Sequence, residues 1–561
     1  MPTNYPGTLD DSTTLPTVVA GGIISSAETN TERGALKALE AKVGASSYAP
    51  GLLKSIHYKL NQGVIYLDDY CVGDGVTDDT AAFQSAATAL VNGGCLVGSK
   101  TYLLTSLVTM PDVGGLKFIG VGGAGIQTDT SATLTTSGAT VLCRGATAGI
   151  KFSPTGQNQH HGPSIENVNF VDAGYLSTYK AAVTGARVSN IVTLTVGTGT
   201  GLTTGDAIMV YAATPSTFTG RFTITSNTTT TVTYSQAAAD ETMTNGKVRR
   251  VGLATMLQLN GVTRSYVRRC TFTGGAVGVL TYADAAGQDA SWSRVDNCHF
   301  LGNEIGMRFQ GTGNYSHYIS GGNIGMLNQQ KGIYCDGVGQ SKVVGMKFDT
   351  ADGAGIGSVG IDYVDTQHVM IQGVGFELDL AVTAAIRLGD GVTGSPTGSI
   401  IGCSFQHNST TEGTALIIRG AGVTSGTRAK GINIIGCTFN QFVTAIDLSN
   451  AWNTFICGGS ILNTGTTGIN IASTCTHTRI IGFSHAGTGA LGTFINDAGV
   501  GTVVALCSDE SSAGSVATRQ GVGTTHEAAG TPSGGYSGEI RLATGKIWVN
   551  DAGTWKSVAV A

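Results

Sequence analysis

The chain has 561 residues, of which 84 are glycine and 12% are charged, and its formal net charge is −5. Abundant glycine without a three-residue period excludes collagen, and an apolar fraction of 41% argues against disorder. The sequence has neither the clustered Lys and Arg typical of nucleic-acid binding nor the ~18 consecutive apolar residues of a membrane span. We therefore expect no nucleic-acid partner, no membrane insertion and, from the N-terminal residues, no secretory signal.

Residues 1–60 begin with an arm rich in Pro, Thr and Gly and continue into a predicted short helix over 31–43. In this helix Leu36, Leu39 and Val43 have the a–d–a spacing of a coiled-coil seam. Such a helix is too short to be stable by itself, so the pattern predicts a short self-associating segment.

The next region, 61–186, contains the segment Asp-Gly-Val-Thr-Asp-Asp-Thr-Ala-Ala-Phe-Gln at 74–84. Asp78 or Asp79 is a suitable N-cap for a helix. The apolar stripe of that helix follows a 3.6-residue period through Ala82, Phe83, Ala86, Ala87 and Leu90. We expect this helix to cover the open edge of the first layer of a stacked sheet.

A repeat then decides the predicted fold. Each copy begins with alternating apolar and polar residues. A small residue or Cys, one further residue, a Phe and a polar stretch containing Gly then follow. The clearest copies lie at 268–272, 296–300, 344–348, 372–376, 401–405 and 435–439. Units this short cannot bury an apolar face alone, so they must stack. The sequence predicts an all-β fold, a right-handed parallel β-helix of roughly nine to eleven rungs.

The cysteines support the same stacking. Their number, eleven, is odd, and their spacing contains no C-x-x-C pair, so we predict neither a metal site nor a redox cofactor. Stacking puts Cys270, Cys298, Cys403 and Cys437 in one interior column, two residues before the Phe column. We interpret them as buried thiols that act as small apolar residues.

Two further segments differ from the repeat. Residues 187–250 alternate apolar and polar positions and predict a small antiparallel β module inserted before the main body, 251–508. Residues 509–561 contain a Gly, Ser and Thr-rich link and then a predicted hairpin around a Thr-Gly turn.

The segment at 74–84, with the Gly-Gly-Cys-Leu-Val-Gly-Ser-Lys-Thr-Tyr that follows at 93–102, resembles the opening of pectate-lyase-like β-helix proteins, above all bacteriophage tailspikes. The resemblance implies a homotrimer located in the virion tail, with residues 1–60 binding phage tail or adaptor proteins and 509–561 acting as a cap or clasp. It also implies attachment to a host surface polysaccharide, an O-antigen or a capsule. Degradation of that polymer by endoglycosidic hydrolysis, favoured over elimination, and a purely binding or structural spike both remain open.

Candidate catalytic residues come from the stacking register. The residue after each Phe marker should point outward, and the resulting column is Val171, Thr273, Leu301, Gly325, Asp349, Glu377, Gln406 and Asn440. Asp349 and Glu377 are neighbours in it, and two carboxyl groups about 5 Å apart suit a retaining glycosidase. Mutual repulsion would raise the pKa of one of them, as an acid catalyst requires. The alternative is that both are solvated groups at the start of a turn.

A second outward column supplies candidate glycan-binding residues. It contains Arg308, Tyr334, Asp362 and Arg387 and is interpreted either as a structural charge ladder or as a groove for sugar hydroxyls. Asp365 and Asp390, three residues after Asp362 and Arg387, form a further adjacent carboxylate pair and a second candidate catalytic pair. Trp292 and Trp452 are candidate platforms for stacking sugar rings.

Overall fold

The structure is a computed structural model that describes residues 63–509 except 91–92, 123–137, 154–159, 200, 284–288, 312–313, 326–329, 350–357, 379–381, 409–412, 463–464, 486–492 and 506. It also describes the backbone of three strands nearer the C-terminus. The predicted arm and helix within residues 1–60 lie outside the described residues, and the predicted division into five parts stays a prediction.

The repeats stack as three parallel faces around one continuous apolar core. Strands of the first face are Val64–Tyr66, Cys95–Gly98, Lys117–Gly120, Ser164–Glu166, Tyr266–Arg268, Arg294–Asp296, Tyr315–Ser320, Gly339–Val344, Gln367–Gln372, Thr397–Ile401, Ala429–Asn440, Phe455–Leu462, Arg479–Ile481 and Val503–Ala505. The short strand Ala451–Trp452 pairs with the start of Ala429–Asn440.

The second face follows the first within each rung. Its strands are Asp74–Asp78, Thr101–Leu104, Thr140–Cys143, Asn169–Asp172, Thr271–Thr273, His299–Leu301, Asn323–Gly325, Lys347–Asp349, Gly375–Leu378, Ser404–His407, Ser484–His485 and Ser508–Asp509, together with the ends of Ala429–Asn440 and Phe455–Leu462. Every pairing between these strands is parallel, so each residue lies beside its equivalent on the next rung.

The third face closes each turn. Its strands are Leu107–Met110, Gly149–Phe152, Thr255–Asn260, Val277–Tyr282, Ile305–Gln310, Lys331–Asp336, Ser358–Tyr363, Val382–Leu388, Thr414–Arg419, Thr444–Ser449, Thr467–Ile471 and Thr493–Asp497. The prediction of an all-β parallel β-helix is confirmed. The described part has more rungs than the nine to eleven expected, because early rungs carry Tyr102 and Val141 in place of the Phe marker.

A residue in the left-handed region turns the chain from the first face to the second. On four successive rungs it is a glycine with φ near +60°, which costs a glycine little because it has no Cβ. These residues are Gly345, Gly373, Gly402 and Gly436, and Arg269 and Asn297 take the same conformation on earlier rungs. The bend separates the outward side chains of the two faces.

The Phe markers stack inside the second face as the register predicts. Ring centres are 4.6 Å apart for Phe348 and Phe376 and 5.0 Å apart for Phe376 and Phe405. Across the core, the third face presents small residues to this stack. A Cβ on Gly332 would lie 2.7 Å from the Phe348 ring and 2.6 Å from the carbonyl oxygen of Gly360. Cys270, Cys298, Cys403 and Cys437 are buried thiols, as expected.

The helix Thr80–Thr88 covers the first rungs. Its Phe83 packs edge-on against the rings of Tyr102 and Phe118, and Ala86 and Ala87 are buried beside it. The Asp78 carboxylate accepts a hydrogen bond from the backbone N–H of Thr80 at 3.0 Å. Asp79 instead accepts from the N–H groups of Val72 and Gly73, so it fastens the preceding loop.

Antiparallel strands interrupt the stack between Asn169–Asp172 and Tyr266–Arg268. They are Thr184–Val188, Ile191–Thr195, Ala207–Thr214, Gly220–Thr223, Ser226–Asn227, Thr231–Ser235, Glu241–Met243 and Asn245–Arg250, in two sheets. The antiparallel unit also contains the 3₁₀ turn Ser216–Phe218. The remaining short elements are the 3₁₀ turn Leu67–Asp69 on the first rung, the helix Ala173–Ser177 and the paired strands His160–His161 and Val262–Thr263.

The antiparallel unit packs on the second face. Arg249 is buried, with its guanidinium 4.0 Å from the Tyr175 ring centre, and Arg221 pairs with Glu304 at 2.9 Å. As a result Val171 and Thr273, expected to point outward into solvent, are buried.

Near the C-terminus, Ile540–Ala543, Lys546–Asp551 and Thr554–Ala559 pair as a three-stranded antiparallel sheet, one strand more than the expected hairpin. Within the described residues, every helix is too short or too polar to cross a membrane.

Candidate functional site

The outward side chains of the second face form two columns on either side of the interior Phe stack. One column follows the Phe marker and contains Asp349, Glu377, Gln406 and Asn440, which are direct register partners from rung to rung. The other precedes the marker and contains Lys347, Gly375, Ser404 and Thr438. The predicted first column is therefore present, and its second half faces solvent.

An open groove of about 320 Å³ lies between and over these columns. Its lining residues are Lys347, Gly375, Phe376, Glu377, Ser404, Phe405, Gln406, Thr438, Asn440 and Leu462. Gly375 deepens the groove, because a Cβ there would point into it and would meet only the Ser404 hydroxyl, at 3.5 Å. The walls include the hydroxyl and amide groups of Ser404, Gln406, Thr438 and Asn440, with charged groups at one end.

The charged end contains Lys347 and Glu377, and Asp349, the other predicted catalytic carboxylate, lies beside Glu377 on the preceding rung. Lys347 Nζ lies 2.8 Å from Glu377 Oε2 and 3.7 Å from Asp349 Oδ2, so one ammonium bridges the two. The Glu377 and Asp349 side chains are 56% and 38% exposed. The hydrogen bond to Glu377 and the charge of Asp349 raise the pKa of Lys347, which keeps this side chain a cation rather than a base.

The ammonium changes the electrostatics that the sequence predicts for this pair. Two adjacent carboxylates repel each other, and the repulsion favours a shared proton. The Lys347 ammonium, in contact with both carboxylates, offsets that repulsion. The two carboxylates thus lie on adjacent rungs, as the register predicts, but with a cation between them.

On the third face, the predicted column of Arg308, Tyr334, Asp362 and Arg387 is present in the expected order. Asp362 is fully buried, and its carboxylate pairs with Arg387 at 2.7 Å and with Lys331 at 2.8 Å. The Lys331 ammonium lies 3.5 Å above the Tyr334 ring centre. Burial and the nearby Asp336 raise the pKa of Tyr334 to about 12.

The charged groups around Asp362 therefore pair with one another within the wall of the β-helix. The Asp362 carboxylate lies below the surface, out of reach of a ligand, whereas Arg308, Tyr334 and Arg387 are partly exposed above it. The arrangement therefore has the geometry of a charge ladder within the wall of the β-helix.

Asp365 and Asp390 lie in turns that follow the third face. Burial acts to raise the pKa of Asp390, but hydrogen bonds from the backbone N–H groups of Thr393 and Val392 outweigh it and lower that pKa. Asp365 is exposed and lies beside Gly394, where a Cβ would be 2.3 Å from its carboxylate. The Asp390 carboxylate thus organises its own loop.

The two tryptophans flank strands of the first face rather than the groove. Trp292 is 52% exposed and lies under the Arg264 guanidinium, 5.4 Å from its ring centre. Trp452 is half-buried, and its Nε1–H donates to His477 Nδ1 at 3.2 Å. The structure therefore does not bring them together with Asp349 and Glu377.

Sequence reasoning missed the column that precedes the Phe marker. Lys347, Gly375, Ser404 and Thr438 occupy one position of the repeat, so the same register that selected Asp349 and Glu377 contained the signal. Their importance arises from the groove, which no single residue indicates.

No protein-family model and no curated protein matches this sequence. Among solved structures, tailspike protein 3 of bacteriophage CBA120 is 13% identical, with a TM-score of 0.46 over 95% of this chain and 76% of that one. The ORF18 protein of Geobacillus virus E2 is 11% identical, with a TM-score of 0.32 over 82% of this chain and 64% of that one. The GH87 α-1,3-glucanase catalytic unit of Streptomyces thermodiastaticus is 12% identical, with a TM-score of 0.40 over 78% of this chain and 68% of that one. Identities this low transfer no residue role to this chain.

Proposed function

We propose that this chain is the body of a homotrimeric bacteriophage tailspike that attaches the virion to a host surface polysaccharide, which lies in the groove of the second face. The groove carries this proposal. Ser404, Gln406, Thr438 and Asn440 present hydroxyl and amide groups on consecutive rungs, and such groups pair with sugar hydroxyls in both directions. The rungs repeat about every 4.8 Å, close to the length of one sugar unit in an extended polymer.

Attachment to a virion is supported by the resemblance of the segment at 74–84 to the opening of tailspike β-helices. The capping helix that this segment forms packs against the first rungs, which suits a long spike with a protected end. Residues 1–60 would then bind the tail or an adaptor protein.

A variant that fills the groove tests the binding role. Gly375→Leu would place a side chain in the groove without a backbone clash, because φ at Gly375 lies outside the left-handed region and space is open above it. Calorimetry measures the affinity for purified surface polysaccharides from candidate hosts. The affinity of the variant should be at least tenfold lower than that of the unmodified chain.

The matched control is Gln372→Leu, which places a leucine at an exposed position of the same rung but on the first face. It should leave binding unchanged. Equal binding by the chain with Gly375→Leu would remove the groove from the proposal.

Cleavage is the second candidate function, favoured by one observation: Asp349 and Glu377 are register partners on adjacent rungs at the end of the groove. In a retaining hydrolysis one carboxylate attacks the anomeric carbon while the other protonates the leaving oxygen. Here, a bound sugar would have to displace Lys347 from between them, so that one can hold a proton. Shortened oligosaccharides detected by mass spectrometry would support this candidate, whereas fragments with an unsaturated sugar would contradict it in favour of elimination.

A further inference from the structure

Aromatic and cationic side chains alternate along one outward column of the first face. Tyr266, Arg294, Tyr318 and Lys342 are register partners on four successive rungs, and we call them the tyrosine–cation ladder. The Arg294 guanidinium lies 5.6 Å from the Tyr266 ring centre and 5.2 Å from that of Tyr318. Lys342 Nζ lies 5.8 Å from the Tyr318 ring centre on the other side.

A tryptophan and an arginine extend the ladder sideways. Trp292 precedes Arg294 by two residues, and the exposed Arg264 guanidinium lies 5.4 Å from its ring centre. The Tyr318 ring lies between two cations, and the Tyr266 and Trp292 rings each have a guanidinium over them, so these contacts order the surface before a ligand arrives.

The charge of its cations is the second feature of this surface. Arg264, Arg294 and Lys342 form no ion pair with any carboxylate of the described residues, whereas Arg268 in the neighbouring column pairs with Asp296 at 3.7 Å. Elsewhere on the β-helix, Lys347 and Arg387 are likewise paired with carboxylates. On a chain of net charge −5, this is a local concentration of unneutralised positive charge.

We propose that the tyrosine–cation ladder and Trp292 form a second glycan-binding site, separate from the groove, for a polysaccharide that carries carboxylates. The exposed ring of Trp292 can stack against the C–H face of a sugar ring, the Tyr318 hydroxyl can form hydrogen bonds with sugar hydroxyls, and the cations of the ladder can pair with the acidic groups of alternate units. A neutral glycan would leave the cations unused. The site does not depend on the groove, which has its own variants and its own ligand test.

Polygalacturonate serves as the acidic probe and dextran as the neutral one, with the full-length chain in both cases. Polygalacturonate should bind at least tenfold tighter than dextran, and the difference should shrink as salt rises from 50 to 500 mM because exposed charges are screened within about 10 Å at 0.1 M. Arg294→Gln and Trp292→Leu should each reduce polygalacturonate affinity about tenfold, and Gly375→Leu should leave it unchanged.

The control is Arg479→Gln, which removes an exposed arginine from the same column several rungs farther along, beyond the ladder. It should retain full affinity. Equal affinity for the two polymers, or full polygalacturonate binding by both ladder variants, would overturn the proposal. Tighter binding of a single-stranded oligodeoxynucleotide than of polygalacturonate would also overturn it, because stacked bases and phosphates can use the same groups.

Discussion

Arg387 donates hydrogen bonds to both carboxylate oxygens of Asp362 on the preceding rung of the third face, at 2.8 and 2.7 Å. Asp362 is fully buried and also pairs with Lys331, so two cations neutralise one buried anion. The hydrogen bond and charge of Asp362 raise the pKa of Arg387. This network joins three successive rungs and is the tightest charge cluster described on the third face.

Asp362→Asn should destabilise the β-helix strongly, because it removes the anion and leaves two cations close together. Loss of one partner from a buried pair costs about 3 kcal/mol or more of unfolding free energy. Urea denaturation followed by circular dichroism measures the change. Asp349→Asn is the matched control, since its ion pair is exposed and exposed pairs contribute less than about 1 kcal/mol. Equal effects from the two variants would contradict the assigned role of burial.

Glu377→Gln should abolish release of oligosaccharides, if the unmodified chain releases them, while leaving polymer binding within about threefold. The amide cannot act as nucleophile or acid, and loss of such a group lowers a rate by about 100-fold or more. Mass spectrometry of timed digests gives the rate. Gln406→Glu, on the next rung of the same column, is the control, because it changes the charge of the groove but keeps both candidate catalytic carboxylates. Undiminished release by Glu377→Gln would exclude the two-carboxylate scheme.

Acid should destabilise the fold through His317. Burial lowers the pKa of this imidazole to about 3, below the ordinary value near 6.5. Between these values the unfolded chain binds a proton that the folded chain does not, so unfolding free energy falls as pH drops from about 6.5 towards 3, by about 1.4 kcal/mol per unit. In His317→Gln this part of the slope should disappear.

The pH comparison is a set of urea titrations between pH 7 and 5. His368→Gln, at an exposed histidine on a first-face strand, should keep the slope of the unmodified chain. Parallel slopes for the chain with His317→Gln and the unmodified chain would show that another group causes the acid sensitivity.

Gly332→Ala should destabilise the fold because the added methyl group meets the Phe348 ring at 2.7 Å and the Gly360 carbonyl oxygen at 2.6 Å. Overpacking of this kind costs about 1–3 kcal/mol. Gly375→Ala is the control, since its methyl group would have open space above the second face. Thermal unfolding should give a lower melting temperature for Gly332→Ala than for Gly375→Ala. Equal melting temperatures would mean that the Phe stack accommodates the methyl group without loss of stability.

The repeat in the sequence determines most of the fold. Period-2 alternation with Phe at one position predicts parallel stacking, and stacking makes every repeat position a column, so the neighbours Asp349 and Glu377 followed from residue numbers. Likewise Arg308, Tyr334, Asp362 and Arg387 were placed in order. Such contacts are readable from sequence because they are set by register, which the apolar pattern specifies.

What surrounds each column was decided by the tertiary structure. The antiparallel unit buries Val171 and Thr273, and the groove of the second face is deepest at Gly375, which has no side chain to fill it. Lys347 enters the carboxylate pair from the neighbouring column, and Asp362 becomes buried although its position points outward. Burial and cross-column contacts depend on the path of turns and insertions between strands, and the repeat pattern carries no information about that path.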